Sequence, residues 1–156
     1  IRAVADTHAV LWYLYNDPRL SMAAGAMMDA TVKADEIAIS SISLVEIGYL
    51  VEKNRIPLDS FDRVIAELNT PGSNLQEINL NQHVADSLRQ VVRSQVPEMA
   101  DRVIAATALM LGVPVISRDS KITASSIATI GENVTMTTSN ALEMRGISKS
   151  FSGNTV

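Results

Sequence analysis

Cysteine is absent from all 156 residues, which removes disulfides, thiolate metal sites and cysteine nucleophiles at a stroke. Oxygen ligands are what remain for a metal. That absence suits a reducing compartment, and a cytoplasmic protein is expected. Aromatic residues make up only 4% of the chain, too few for a base-stacking platform of the single-strand-binding kind. No apolar run approaches the roughly 18 to 20 residues that a membrane span needs. The longest, such as Val103 to Leu111, falls well short, and no secretory apolar region stands at the start, so no membrane partner is expected. A basic excess is lacking too. With a net charge of −4, bulk attraction to a polyanion is excluded, and any nucleic-acid role must rest on a local patch.

What is present is enough apolar residue, 47%, for one domain with a proper core. Ala3 to Ala5 reads as a short strand ending at Asp6, and Ala9 to Leu14 has helical character up to the Asp17-Pro18 break. Ser21 caps a second helix through about Ala34. Ile37 to Ile39 is a strand, followed by a serine-rich turn and a helix from Leu44 to about Lys53. A helix starting at Asp59 or Ser60 is stopped by Thr70-Pro71-Gly72. Leu75 to Leu80 is a third strand, Gln82 to Gln95 an amphipathic helix with Val84, Leu88, Val91 and Val92 inward, and Glu98 to Leu111 a helix closed by Gly112 and Pro114. Val115-Ile116 is a fourth strand and Ile127 to Ile130 a further one. Strands alternating with helices predict an α/β fold with a central parallel sheet covered on both faces.

Four acidic residues, Asp6, Glu46, Asp101 and Asp119, stand where a strand or turn hands over to the next element. Each has an ordinary structural reading. Asp6 suits a helix N-cap, Ser43 with Glu46 has capping-box spacing, Asp101 sits in a first helical turn, and Asp119 suits a cap for Ser120-Lys121. Parallel strands, however, deliver such residues to one edge of the sheet. Several carboxylates gathered there are costly unless a cation or proton compensates them. A hard oxygen-ligated ion, Mg²⁺ or Mn²⁺, is the natural occupant.

Asp6-Thr7-His8 followed by Val10-Leu11-Trp12, then Ile39-Ser40 through Glu46-Ile47, then Asp101-Arg102-Val103-Ile104-Ala105-Ala106, then Val115-Ile116-Ser117-Arg118-Asp119, resembles the PIN-domain ribonucleases, and most of all the VapC toxins of VapBC toxin–antitoxin pairs. The resemblance spans about residues 3 to 130. It implies a three-layer α/β/α sandwich and a divalent-metal-dependent endoribonuclease acting as the toxin of a type II toxin–antitoxin pair. Asp6, Glu46 and Asp101 would match the three core acidic ligands, with Asp119 as the fourth acid, at a second ion or through water. Thr7 and Ser117 would match hydroxyls that hold metal-bound water or a ligating carboxylate. A cognate antitoxin and homodimerisation are implied in the same way.

Arg102, Arg118 and Lys121 flank the acids and are candidates for contacting RNA phosphate, against ordinary ion pairing with those acids. His8 and His83 are expected to be structural, and Trp12 to be core or interface. Two other functions remain open at this point: a PIN-like module that binds RNA or metal without cutting, and a receiver-type phosphoacceptor. The lone Asp6 and the missing lysine after the last strand weigh against the second. Residues 1–132 are read as the nuclease domain and residues 133–156 as an extra, poorly packed tail. Leu142 to Phe151 resembles the opening segment of an ATP-binding-cassette ATPase, but no phosphate-binding glycine-rich loop follows.

Overall fold

Strand β1 (Ala3–Ala5) is buried along its whole length, because it runs through the middle of a sheet with helices on both sides. The computed structural model describes residues 1–29, 36–123 and 127–130. Within them the sheet is five-stranded and wholly parallel, in the order β3-β2-β1-β4-β5, with β2 at Ile37–Ser40, β3 at Leu75–Ile78, β4 at Val115–Ile116 and β5 at Thr129–Ile130. The expected tail, residues 133–156, lies outside the described residues.

Alternation along the strands sorts the core into two layers. Ala3, Ala5, Ile37 and Ile39 face one side, where α1 (Thr7–Leu14), α2 (Met22–Met28), α3 (Ser41–Glu52) and α4 (Ser60–Leu68) bring Val10, Met28, Ile47 and Val64. Val4, Ala38 and Val115 face the other, under α5 (Gln82–Leu88) and α6 (Met99–Leu111), which supply Val84, Ile104 and Ala108. Two helical layers on one sheet make the α/β/α sandwich anticipated from the alternation of elements. A short α7 (Ser120–Thr123) links β4 towards β5. The chain runs from β1 outward through β2 to β3, then returns to build β4 on the other side of β1. The reversal between β1 and β4 opens a crevice at the carboxyl edge, where ligands bind in open parallel sheets.

Two elements differ from expectation. Helix α3 starts at Ser41 rather than Leu44, with Ser40 as N-cap accepting from the Ile42 amide at 3.2 Å. Ser43 is therefore inside the helix, and the expected Ser43/Glu46 capping box does not form. Helix α5 ends at Leu88 instead of continuing to Gln95, and Val92 is 46% exposed. Beyond Leu88 the backbone tightens into turns, Gln90 N donating to Ser87 O at 2.9 Å and Val91 N to Leu88 O at 3.1 Å, and the Arg102 guanidinium donates to the Leu88 and Val91 carbonyls at 3.3 and 3.4 Å. The Ser21 cap forms, accepting from Ala24 N at 3.0 Å, and its helix is described to Met28, whereas the expected extension to Ala34 lies largely outside the described residues.

Candidate active site

Asp6 follows β1 directly and caps α1, its Oδ1 accepting from the Ala9 amide at 2.8 Å. Its own amide donates to Ile116 O at 3.0 Å, which ties it to the end of β4. The residue is buried. Burial pushes its carboxyl up, while a hydrogen bond from Ser117 and the Ala9 amide pull the other way. Three residues beyond β4, Asp119 accepts from the Ile122 amide at 3.2 Å, and its own amide donates to Ser117 Oγ at 2.9 Å. The buried Ser117 hydroxyl thus touches both acids, Asp6 through its side chain and Asp119 through its backbone.

Glu46 reaches the same edge from α3. The Thr7 hydroxyl donates to its Oε1 in a short hydrogen bond, and Ser43 Oγ lies 3.1 Å from Thr7 Oγ1. A hydroxyl has one proton to give, so Ser43 donates to Thr7 and Thr7 to Glu46. This buried relay joins α1 to α3. Asp101 stands in the first turn of α6, where a carboxylate is favoured by the helix dipole. Its carboxyl is nevertheless pushed up to about 7, by burial first and then by the charges of Asp119, Glu46, Asp6 and Glu98. All four expected acids therefore act on one another at one edge of the sheet.

They repel without yet converging. Among the described residues no three acids stand close enough to hold one ion as they are, because Asp6, Glu46 and Asp119 are each turned to a local donor. The donor set is all carboxylate and hydroxyl oxygen, as Mg²⁺ and Mn²⁺ require. Gathering an ion means rotating one or more of these side chains off its present partner.

The flanking cations divide. Arg102 donates to the Leu88 and Val91 carbonyls, which staples the α5–α6 connection, and its buried Nε has no partner among the described groups. Arg118 is exposed, donates to Arg19 O at 2.9 Å, and lies 5.9 Å from the Trp12 ring. The side chain of Lys121 lies outside the described residues. His8 is exposed with its ring 5.8 Å from Trp12, and His83 is exposed at the start of α5. Ser43 and Arg19 were missed from sequence. Ser43 had been spent on a cap, although its spacing three before Glu46 on a helix was the available signal.

Residues 3–126 match the family model of the PIN domain. The chain belongs to the PIN domain family. Within it this PIN domain is of the VapC type, being 30% identical over 117 residues to Ribonuclease VapC22 of Mycobacterium tuberculosis, which covers 75% of this chain and 86% of that protein. Solved structures share the fold. VapBC2 from Rickettsia felis, bound to a DNA fragment from their promoter, superposes with a TM-score of 0.62 at 17% identity, covering 83% of this chain and 98% of that chain. A toxin-antitoxin complex from Klebsiella pneumoniae gives 0.58 at 23% identity, with 83% and 97% covered. FitAcB from Neisseria gonorrhoeae gives 0.57 at 20%, again over 83% and 97%.

Proposed function

We propose that this PIN domain is a divalent-metal-dependent endoribonuclease and the toxin of a toxin–antitoxin pair, hydrolysing RNA phosphodiester bonds at Asp6, Glu46, Asp101 and Asp119. The observation that carries the reading is the arrival of these four acids at one carboxyl edge, from β1, α3, α6 and the end of β4. The similarity to a protein named as a ribonuclease supports the reaction class.

Asp6, Glu46 and Asp101 would hold Mg²⁺ or Mn²⁺, with Asp119 at a second ion or through water; the ion would offset phosphodiester charge and make a water more acidic. The chain's own residues prepare that site. Thr7 and Ser43 fix the Glu46 carboxylate, and Ser117 sets the spacing between Asp6 and the Asp119 backbone. Asp101, whose carboxyl is pushed up to about 7 by burial and by the neighbouring acids, would release its proton to make room for a cation. The first turn of α6 holds it rigidly.

Two of the structural neighbours were solved as VapBC2 and as a toxin-antitoxin complex, which supports an antitoxin partner, and a homodimer belongs to the same reading. The deciding experiment incubates purified protein with structured RNA in Mg²⁺ or Mn²⁺, then adds EDTA. Cleavage that requires the metal, and that disappears in Asp6→Asn and Asp101→Asn proteins of native circular dichroism, is the expected result. Cleavage retained by a folded, metal-loaded variant refutes the assignment of these acids.

A further inference from the structure

A chain with a net charge of −4 and an acid cluster at its active edge still has to hold a polyanion, so the positive charge nearest that edge matters most. It is concentrated around Trp12. The Arg19 guanidinium lies 5.1 Å from the indole centroid and that of Arg118 5.9 Å, within the reach of cation–π attraction. His8, one helical turn earlier, sets its ring 5.8 Å away. The group is tied together by hydrogen bonds, since Arg118 Nη1 donates to Arg19 O at 2.9 Å while Arg19 clasps Asp17 with Nε and Nη2 at 3.1 and 2.8 Å. Both guanidinia are held in place before any ligand arrives, so little side-chain entropy is lost on binding.

Position makes this cluster more than a surface ornament. Arg118 is the residue between Ser117 and Asp119, and α1, which carries His8 and Trp12, begins at Asp6. A small pocket lined by Ala9, Trp12, Leu20, Ile116, Ser117 and Arg118 adjoins the cluster, and its Ser117 is the residue that touches both Asp6 and Asp119. From Asp6 to Trp12 the helix rises about 9 Å, at about 1.5 Å per residue, so the cluster is a neighbouring subsite and not part of the reacting centre. Arg19 has 64% of its side chain exposed despite its pairing with Asp17. Arg118, itself exposed, sets a second guanidinium beside that of Arg19.

We infer that Arg19 and Arg118, mounted on Trp12, form a phosphate-binding subsite that takes the RNA backbone next to the cleaved bond. This rests on the ribonuclease reading and adds to it the residues that hold the substrate strand. The fork of N–H groups on each guanidinium matches a phosphate's oxygens, and Trp12 acts as the mount that fixes their spacing rather than as a stacking surface. A protein segment could meet the same cluster, but phosphate uses both guanidinia and continues directly from the acid edge.

The test compares wild type with R19A/R118A in cleaving a pool of short single-stranded RNA at several salt concentrations, with R89A, an exposed arginine on the far α5 end, as control. Expected for the double variant are a KM at least tenfold higher, kcat within about twofold, and a smaller salt dependence of binding by about 0.7 per lost phosphate contact. R89A should match wild type. If wild type cleaves while the double variant keeps its KM and salt slope, the subsite is refuted. A fall in kcat alone also refutes it, by showing that the arginines act on the acid site. If wild type shows no metal-dependent cleavage at all, the ribonuclease reading fails instead. Should the double variant melt below wild type, R19Q alone decides the matter through a threefold or larger rise in KM.

Discussion

Replacing Asp101 by asparagine should make the metal-free protein more stable while destroying its activity, and the size of the gain follows from the structure. A rise of the carboxyl from 3.8 to about 7 would correspond to about 4 kcal/mol if one fully buried group carried it. Asp101 is only half-buried and shares its repulsion with four other acids, so about 1 to 2 kcal/mol remains. Asparagine also gives up a carboxylate's favourable place in the first turn of α6, about 0.5 kcal/mol. The net gain is about 1 kcal/mol, or about 2 to 4 °C in melting temperature for a chain of this size.

The sign of its pH dependence is fixed by linkage. A carboxyl raised in the folded state binds its proton below about 7, while the unfolded chain releases it down to about 4. Between those values the native state holds more protons, so wild type gains stability as pH falls. The advantage of Asp101→Asn should therefore be full at pH 8, reduced at pH 5, and gone only below about pH 4. Saturating Mg²⁺ should reverse the order, because an ion at 100 times its Kd stabilises wild type by about 2.7 kcal/mol. Differential scanning calorimetry in EDTA at pH 8 and pH 5, and then in Mg²⁺, reads all three. A variant that melts below wild type at pH 8 in EDTA, or a gap unchanged at pH 5, would overturn the account of Asp101 as a repelled acid.

Thr7→Val removes the donor to Glu46 and strands the Ser43 hydroxyl, so Mn²⁺ affinity should fall about 10- to 100-fold and stability by about 1 to 3 kcal/mol, read by Mn²⁺ titration and urea denaturation. Gly112 ends α6 at φ +68 with nothing within 4 Å of an added Cβ, so Gly112→Ala should cost about 1 kcal/mol of conformational strain alone, with cleavage unchanged at saturating RNA. Ile104 is fully buried between α6 and the sheet, and Ile104→Ala should lower the unfolding free energy by about 2 to 5 kcal/mol.

The sheet was legible because each strand is a short apolar run closed by a residue of another kind, Asp6 after Ala5 or the Gly112–Pro114 punctuation before Val115. Even the two-residue β4 could be placed that way. Asp6 and Asp119 could be placed the same way, each following a strand, whereas Glu46 lies inside α3 and Asp101 in the first turn of α6. Helix ends were harder. Ser40 and Ser43 are equally good caps on paper, and only the structure shows Ser40 taking the cap and Ser43 buried against Thr7. After Leu88 the backbone turns into i→i−3 bonds, and its carbonyls also accept from Arg102, more than ten residues onward, a partner that local periodicity cannot show. Apolar periodicity through Val91 fits a longer helix just as well. Trp12 read as core because a lone tryptophan beside aliphatics usually is, and its two arginines come from separate stretches of chain. The receiver-type reading lapses with membership of the PIN family.

The edge strand β5 bears on where this domain stops. Ser117 donates its amide to Ile130 O at 3.0 Å, and Val115 donates to Ala128 O at 2.9 Å, so the stretch leading to Asp119 is moored to residues that follow the family match, which stops at 126. A protein cut at that limit would retain every acid and lose the acceptor that anchors one of them. The family match thus stops short of residues that the sheet uses. Glu46 and Asp101 would keep their supports, while the placement of Asp119, and of the Ser117 hydroxyl that also meets Asp6, would be surrendered first.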